Sequence, residues 1–194
     1  LPIDGKPDIL WQNTATGQHS IWLMNDTTNI GNIELPTTDP IWRVTGTDDF
    51  NQDGQTDILW QNIITGQHSI WLMDGTTNIG NIELGTTDPT WLITGTGDFN
   101  GDGQTDILWQ NTITGERTIW LMNGTAFSLG VDLGTYSTDI RIMGSGDFNG
   151  DGQTDIVVEN TITGEASVWL MNSTTKTSEA SLGVRPTAWS IAGT

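Results

Sequence analysis

Three short segments of the chain place oxygen-bearing side chains at the same fixed spacing. In the segment that starts at Asp98, these side chains stand at the first, third, fifth and ninth positions, as Asp98, Asn100, Asp102 and Asp106. The glycine at the sixth position permits a sharp turn, and Gln104 at the seventh could offer its backbone carbonyl. Hard oxygen donors that include several carboxylates and surround a Gly turn are the ligands that Ca²⁺ prefers. The spacing therefore predicts a calcium loop.

The same pattern occurs in two further segments. The candidate ligands there are Asp49, Asn51, Asp53, Gln55 and Asp57, and then Asp147, Asn149, Asp151, Gln153 and Asp155. The remaining copy, the first in the chain, keeps only Asp4 and Asp8, with Pro2 where the other copies have Asn. We therefore expect about three complete Ca²⁺ sites and one incomplete site.

Other cations and other loop types fit this pattern less well. Mg²⁺ prefers to keep its waters, and Zn²⁺ favours His or Cys ligands that the loops lack. An EF-hand needs a bidentate Glu at the twelfth position, where this chain has Trp60, Trp109 or Val158. The alternative is that the loops are polar turns held by Asx hydrogen bonds.

The loops belong to a repeat of 49 residues. The segment Asp-Ile-Leu-Trp, or its variant, begins at Asp8, Asp57, Asp106 and Asp155. The repeats cover approximately residues 1–48, 49–97, 98–146 and 147–194, and from Asp8 onward the first two copies differ at 10 of 49 positions. A fixed period of this length indicates a repeat architecture.

Each repeat reads as four short strands. In the third copy these are residues 107–111, 118–122, 129–133 and 140–144, with turn signals at Thr114-Gly115 and Asn123-Gly124. No segment has a helical period of sufficient length. The pattern predicts an all-β fold, a β-propeller of four ~49-residue four-stranded blades in one domain, residues 1–194. We expect a strand near Trp189–Ala192 to pair with Ile9–Trp11 and close the propeller. Two chains in an eight-bladed ring, or a fragment of a longer array, are the alternatives.

Tryptophans recur at fixed places in the repeat. One set stands beside Gln and Asn, which suggests an aromatic platform with polar partners for a ligand such as a sugar: Trp11, Asn13, Trp60, Asn62, Trp109 and Asn111. The fourth copy breaks this set with Val158 and Glu159. The alternative is that the Trp side chains pack between blades and the amide side chains cap turns.

Composition excludes several classes of function. The chain has 24 acidic and 6 basic residues, a net charge of −18, so neither nucleic acid nor membrane insertion is expected. There is no Cys, which rules out disulfides and thiolate sites. His19 and His68 occupy the same repeat position twice, and near-identical repeats provide no asymmetric catalytic constellation. We expect a protein that is not an enzyme.

The stretch from Gly97 to Trp109, Gly-Asp-Phe-Asn-Gly-Asp-Gly-Gln-Thr-Asp-Ile-Leu-Trp, resembles the FG-GAP / VCBS repeat family. These are calcium-loop propeller blades, as in integrin α-subunit propellers and related bacterial and fungal propellers, some of them lectins. The resemblance covers essentially the whole chain. It implies a metal loop between the first two strands of each blade and a secreted or cell-surface protein that adheres or binds ligands. Family rings are often seven-bladed, so four repeats depart from the family pattern.

Together these features predict a calcium-binding module for extracellular binding or adhesion, with a multivalent carbohydrate-binding lectin as one form of it. The alternative is a structural or engineered repeat scaffold in which Ca²⁺ only stabilises the blades. An extracellular ligand such as a glycan is the expected partner. The expected assembly is a monomer or a dimer.

Overall fold

The computed structural model describes residues 7–191. It contains antiparallel β-sheets, and no helix is found in residues 7–191. Nor do these residues include a helix with the length and apolar character needed to cross a membrane. The all-β fold class predicted from the repeat, a β-propeller built from four blades, is confirmed.

Two compact units make up the chain, residues 1–89 and residues 90–194. The first unit holds a three-stranded sheet, β1 to β3, and a four-stranded sheet, β4 to β7. Their bounds are Ile9–Gln12, His19–Asn25 and Thr28–Leu35, and then Trp42–Asp48, Asp57–Asn62, Gln67–Asp74 and Thr77–Thr86. Within each sheet, consecutive strands pair as antiparallel neighbours, which is the up-and-down order of a propeller blade.

The second unit holds two four-stranded sheets, β8 to β11 and β12 to β15. Their bounds are Trp91–Gly97, Asp106–Asn111, Glu116–Asn123 and Ala126–Thr135, and then Ile140–Gly146, Asp155–Asn160, Glu165–Asn172 and Thr175–Val184. All four strands predicted for the third copy are present, and each extends further than the sequence indicated. The Gly115 and Gly124 turns are also present, each glycine with a positive φ, of 77° and 58°.

Burial follows strand position in the sheet. The second strands of two four-stranded sheets, β5 and β9, are buried along their whole length, and a strand flanks each of them on both sides. The outermost strand β7 alternates between exposed and half-buried residues, as a strand with one solvated face does. Burial on the inner strands explains why Ile58-Leu59-Trp60 and Ile107-Leu108-Trp109 are continuous apolar runs.

Each unit has an apolar core between its two sheets. In the first unit it is formed by Ile21, Leu35, Ile58, Trp60 and Met73. In the second unit it is formed by Phe99, Leu108, Ile119, Ile142, Ile156, Val158, Trp169 and Met171. Trp60 and Trp169 therefore pack between sheets, as the alternative interpretation of the Trp repeat predicted.

The predicted closing strand is not found in the described residues. Trp189–Ile191 have no strand structure, and Ala192 lies outside residues 7–191. Among the strands of residues 7–191, β1 pairs only with β2. The strands at the corresponding repeat positions, β4, β8 and β12, each pair with the strand that follows them in the chain, which satisfies their backbone groups. Closure of the propeller through the terminal strands is thus not confirmed.

Candidate functional site

The three complete acidic loops connect the first and second strands of a sheet, β4 to β5, β8 to β9 and β12 to β13. This is the place that the family resemblance implied. In the third-copy loop the sixth residue, Gly103, has a φ of 81°, a left-handed conformation that favours glycine. The turn at this position bends the loop back over its first residue.

The carboxylate at the first loop position lies in a cradle of backbone N–H groups. Asp98 Oδ1 accepts hydrogen bonds from the N–H groups of Gly101 at 2.7 Å and Asp102 at 3.1 Å. Asp98 Oδ2 accepts one from Gly103 at 2.8 Å. The loop is therefore ordered around a negative charge at this position.

The other loops repeat this cradle. Asp147 accepts hydrogen bonds from Gly150, Asp151 and Gly152, and donation from Gly152 and its neighbours lowers the pKa of the Asp147 carboxyl. Asp49 accepts from the fifth and sixth residues of its own loop. The fourth residue of that loop is Gln52, with a φ of 61°, where the other two loops have glycine.

The side chain at the third position contacts the residue at the fifth position through both its oxygen and its nitrogen. Asn100 Oδ1 accepts from the N–H of Asp102 at 2.9 Å, the same amide that Asp98 Oδ1 contacts. Asn100 Nδ2 donates to Asp102 Oδ2 at 2.8 Å. Asn51 with Asp53 and Asn149 with Asp151 make the same pair of contacts. Oxygens of the first and third positions thus converge on one amide in each loop.

The carboxylate at the ninth position has a different environment. Asp106 is fully buried, and its Oδ1 accepts from Met122 N–H at 2.9 Å while its Oδ2 accepts from Phe99 N–H at 3.0 Å. Burial raises the pKa of Asp106, and these two N–H groups oppose that effect. The ladder between β9 and β10 ends at Ile107 and Trp120, so this carboxylate binds an amide just beyond it.

This contact is present in all four copies. The equivalent of the Met122 contact is made by Asp8 with Met24, by Asp57 with Met73 and by Asp155 with Met171. In each copy the bonded Met follows a register shift between the second and third strands of the repeat. The first copy keeps this Asp although Pro2 stands at its third loop position, and this retention is the feature of the sequence that could have indicated a structural role. We call this contact the aspartate latch.

The glutamine at the seventh position binds through its side chain. Gln104 Oε1 accepts from Gly124 N–H at 2.7 Å, in the turn between β10 and β11. Gln55 and Gln153 make the equivalent contacts with Gly75 and Ser173. The side chain therefore ties the loop to the neighbouring turn.

The donor chemistry of the loops fits a calcium ion at the first, third and fifth positions. These residues offer carboxylate and amide oxygens at the protein surface around a tight turn. Each oxygen of the ninth-position carboxylate keeps acceptor capacity beyond its one N–H contact. Within residues 7–191, however, no group of three or more His, Cys, Asp or Glu side chains is assembled in a metal-holding arrangement. Asp4 of the incomplete loop lies outside the described residues.

The predicted aromatic platforms are mostly inaccessible. Trp60 and Trp109 are each only 1% exposed. Asn62 Oδ1 caps the following turn by accepting from Ile64 and Thr65 N–H, and Asn111 acts in the same way. The structure does not support a platform role for these four residues, because the Trp rings are core and the Asn side chains are turn caps.

Trp11 differs from its repeat equivalents. It is 48% exposed and pairs with Trp22 at 4.9 Å between ring centroids. A cavity of about 580 Å³ lies beside it, lined also by Gln12, Asn13, His19 and Glu34 among others. Asn13 Oδ1 caps its turn, as in the other copies. The Trp11 ring is thus open to a ligand, whereas Asn13 acts as a turn cap like its repeat equivalents.

Gln12 and Gln110, which follow Trp11 and Trp109, each join two sheets, a role that the sequence did not reveal. Gln110 Nε2 donates to Ile140 O at 2.9 Å, and its Oε1 accepts from Ile142 N–H at 2.9 Å. Gln12 makes the same pair of contacts with Trp42 and Val44. The primary amide donates to one carbonyl and accepts from one N–H of a strand in the next sheet, whereas a carboxylate could only accept.

Comparison with known proteins supports the family assignment. A family model described as an FG-GAP-like repeat matches residues 4–60, 49–109 and 98–158. No curated protein sequence matches the chain. A chain of the Tc holotoxin pore of Photorhabdus luminescens aligns with a TM-score of 0.52 and 17% identity, over 95% of this chain and 10% of that chain. A dihydro-haem d1 dehydrogenase, NirN in complex with DHE, aligns with a TM-score of 0.49 and 8% identity, over 91% of this chain and 35% of that chain.

This chain therefore spans about a tenth of the length of the holotoxin chain that it resembles, and at 17% identity the likeness concerns the fold alone. The family model, in contrast, matches the sequence itself, repeat by repeat, over more than half of the chain. The chain belongs to the FG-GAP-like repeat family.

Proposed function

We propose that the chain is a calcium-binding β-propeller module that is secreted or held at the cell surface, where it binds an extracellular ligand. The observation that carries this proposal is the arrangement of the three loops. In each loop, oxygens of the first and third residues converge on one amide beside a third, exposed carboxylate. The net charge of −18 also favours a cationic partner.

The residues that would hold the ion are the same in each loop. In the third-copy loop they are Asp98, Asn100 and Asp102, with Asp106 as the further carboxylate. A bound Ca²⁺ would supply a divalent charge that neutralises carboxylates brought close together by the turn. The chain's own N–H groups hold Asp98 in place for this role.

Calcium titration of chelator-treated protein tests the metal proposal. We expect a stoichiometry near three by isothermal titration calorimetry. Asp53→Asn, Asp102→Asn and Asp151→Asn should each lower the stoichiometry by about one. Asp139→Asn removes the same charge from an exposed position outside the loops and serves as the control. Absence of binding heat and of a thermal shift, or a stoichiometry unaffected by the three loop variants, would contradict the proposal.

For the ligand we propose a glycan that uses the cavity beside Trp11. An exposed indole next to amide and carboxylate groups combines an apolar face with polar partners that fix orientation. A glycan array probed with and without chelator should identify ligands whose binding Trp11→Ala removes. Ile113→Ala, a truncation at a residue 71% exposed, is the control. No binding to any glycan in the presence of Ca²⁺ would refute the carbohydrate proposal.

A second candidate is a scaffold without a specific ligand, in which Ca²⁺ only stabilises the blades. The burial of Trp60 and Trp109 favours it, because the recurring Trp then serves packing alone. So does the bond of Gln104 to the neighbouring turn. A large increase in melting temperature with Ca²⁺, without binding to any glycan, would distinguish this scaffold from a lectin.

The assembly is proposed as a monomer or a dimer, the latter being two chains in an eight-bladed ring. Analytical ultracentrifugation with and without Ca²⁺ distinguishes the two forms by mass.

A further inference from the structure

One position on the second strand of each repeat is filled differently in the four copies. It holds His19, His68, Arg117 and Ala166, each 49 residues after the previous one. The first three side chains are no more than 1% exposed. Ala166 is only partly buried, and a cavity of about 340 Å³ lies beside it. We call this space the Ala166 cavity; Glu159, Arg185, Trp189 and Ile191 also line it.

The third copy shows what fills the corresponding space. Arg117 Nη2 donates to Ile140 O at 2.6 Å, and Gln110 Nε2 donates to the same oxygen at 2.9 Å. The guanidinium also lies over the Tyr136 ring, 4.5 Å from its centroid, and over the Trp169 ring at 4.9 Å. In the third copy the Arg117 guanidinium thus fills this space, and the side chains of Arg117 and Gln110 each donate a hydrogen bond to the same carbonyl.

The fourth copy removes both donors. Glu159 stands where the third copy has Gln110, and its Oε2 accepts from Ile191 N–H at 3.0 Å, which reproduces the contact between Gln110 and Ile142. A carboxylate, unlike the amide of Gln110, has no N–H to donate to the carbonyl of Trp189, the repeat equivalent of Ile140. Ala166 supplies no donor either. The same two substitutions therefore create a space and line it with acceptors.

We propose that the Ala166 cavity binds the guanidinium group of a ligand. Glu159 is 5% exposed, and a buried carboxylate is stabilised by a cation that also donates hydrogen bonds. The Trp189 ring, 70% exposed, offers a face for the same cation. The template is Arg117, whose guanidinium fills the equivalent place in the third copy.

The chain also has its own guanidinium near the cavity. Arg185 occupies the repeat position of Tyr136, and its backbone N–H donates to Gly164 O as that of Tyr136 does to Gly115 O. The side chain of Arg185 is therefore the internal competitor for the site. The test must separate filling by Arg185 from filling by a ligand.

Calorimetric titration of the full chain with methylguanidinium tests the proposal. We expect binding at one site per chain, and no comparable binding of neutral methylurea. Glu159→Gln restores the residue of the other copies and should weaken binding about tenfold or more, because it removes a charge-assisted contact. Ala166→Arg, which copies Arg117, should abolish binding. Glu165→Gln, an equal loss of charge on an exposed neighbour, should leave it unchanged.

A second titration with N-acetylarginine amide identifies the source of the guanidinium. Equal affinity for the two ligands indicates that the head group suffices, and tighter binding of the arginine derivative indicates a peptide side chain. Glu159→Gln and Ala166→Arg each introduce the residue that another repeat has at the same position. Measurement of their melting temperatures will establish that both variants fold. The proposal is overturned if neither cation binds, if Glu159→Gln has no effect, or if binding occurs only in Arg185→Ala, which would show that the chain fills its own cavity.

Discussion

Replacement of Asp106 by Ala tests the aspartate latch, and the expected result does not depend on any metal. Asp106 is fully buried, and its two oxygens accept from the N–H groups of Phe99 and Met122. Both of those residues are at most 2% exposed, so water cannot easily replace the carboxylate. The substitution therefore leaves two buried donors without an acceptor.

The magnitude follows from the number of donors that lose their acceptor. A buried donor left unsatisfied costs about 1–3 kcal/mol, so two of them cost about 2–6 kcal/mol. Burial of the carboxylate itself is unfavourable, which the raised pKa of Asp106 reflects, and the variant no longer carries that penalty. We therefore expect a loss near the lower half of the range, about 2–4 kcal/mol in the free energy of unfolding. Domains have only about 5–15 kcal/mol in total.

Chemical denaturation in excess chelator measures this loss, with Asp102→Ala as the matched control. Asp102 belongs to the same loop but is exposed, so its truncation should cost well under half as much without calcium. In Ca²⁺ both variants should also lose stabilisation by the ion, so the loss caused by Asp102→Ala should rise well above its value in chelator. The measurement in chelator therefore isolates the contribution of the two N–H contacts of Asp106, which Asp102 does not make.

Two results would refute this reasoning. If Asp106→Ala loses less than about 1 kcal/mol in chelator, the two N–H contacts do not stabilise the fold as argued. If Asp102→Ala and Asp106→Ala lose the same amount under both conditions, the two carboxylates have the same role and the latch has no separate identity.

Three further outcomes are expected. Gly115→Ala should lower the free energy of unfolding by about 3 kcal/mol or more, because the new Cβ would collide with the backbone oxygen of Tyr136. Gly101→Ala, at the same φ of 77° but with nothing within 4 Å of its Cβ, should lower it by about 1 kcal/mol. The denaturation midpoints of the two variants check this difference. Gln110→Ala should lower the free energy of unfolding by about 2–4 kcal/mol by removing both of its contacts to the next sheet, and a loss under about 1 kcal/mol would exclude that role. Burial lowers the pKa of His68 from 6.5 to about 4. Between these pH values the unfolded chain binds a proton at this imidazole and the folded chain does not, so the free energy of unfolding should fall by about 3 kcal/mol as the pH drops from 6.5 to 4. In His68→Gln this part of the stability–pH profile should be flatter.

The strands were predictable because their signals are local. Ile107-Leu108-Trp109 is a β-prone apolar run bounded by turn residues, and the Asn123-Gly124 turn requires a positive φ that glycine adopts easily. Repetition of these signals every 49 residues also revealed the blades. The ends of the strands were less predictable, because pairing with a neighbour extends a strand into residues such as Glu116 and Gly134 that have no strong β preference.

Side-chain roles within the loop were only partly predictable. The spacing of Asp98, Asn100 and Asp102 correctly indicated a tight oxygen-rich turn, whose internal bonds the structure displays. It did not distinguish Asp106, because a carboxylate that serves a metal and one that binds backbone N–H groups look alike in sequence. The same limit applied to Trp60 and Trp11, which share a repeat position but are 1% and 48% exposed.

The sequence by itself therefore determined the repeat, the strands and the positions of the loops, because each depends on residues close together in the chain. Tertiary structure alone decided which repeated side chains are accessible. Burial of Trp60 depends on contact with Ile21 and Leu35 of another sheet. The Ala166 cavity likewise exists only because Trp189 lies beside the hairpin that carries Glu159 and Ala166. Local spacing fixes what each repeat can form, and packing between sheets fixes what a ligand can reach.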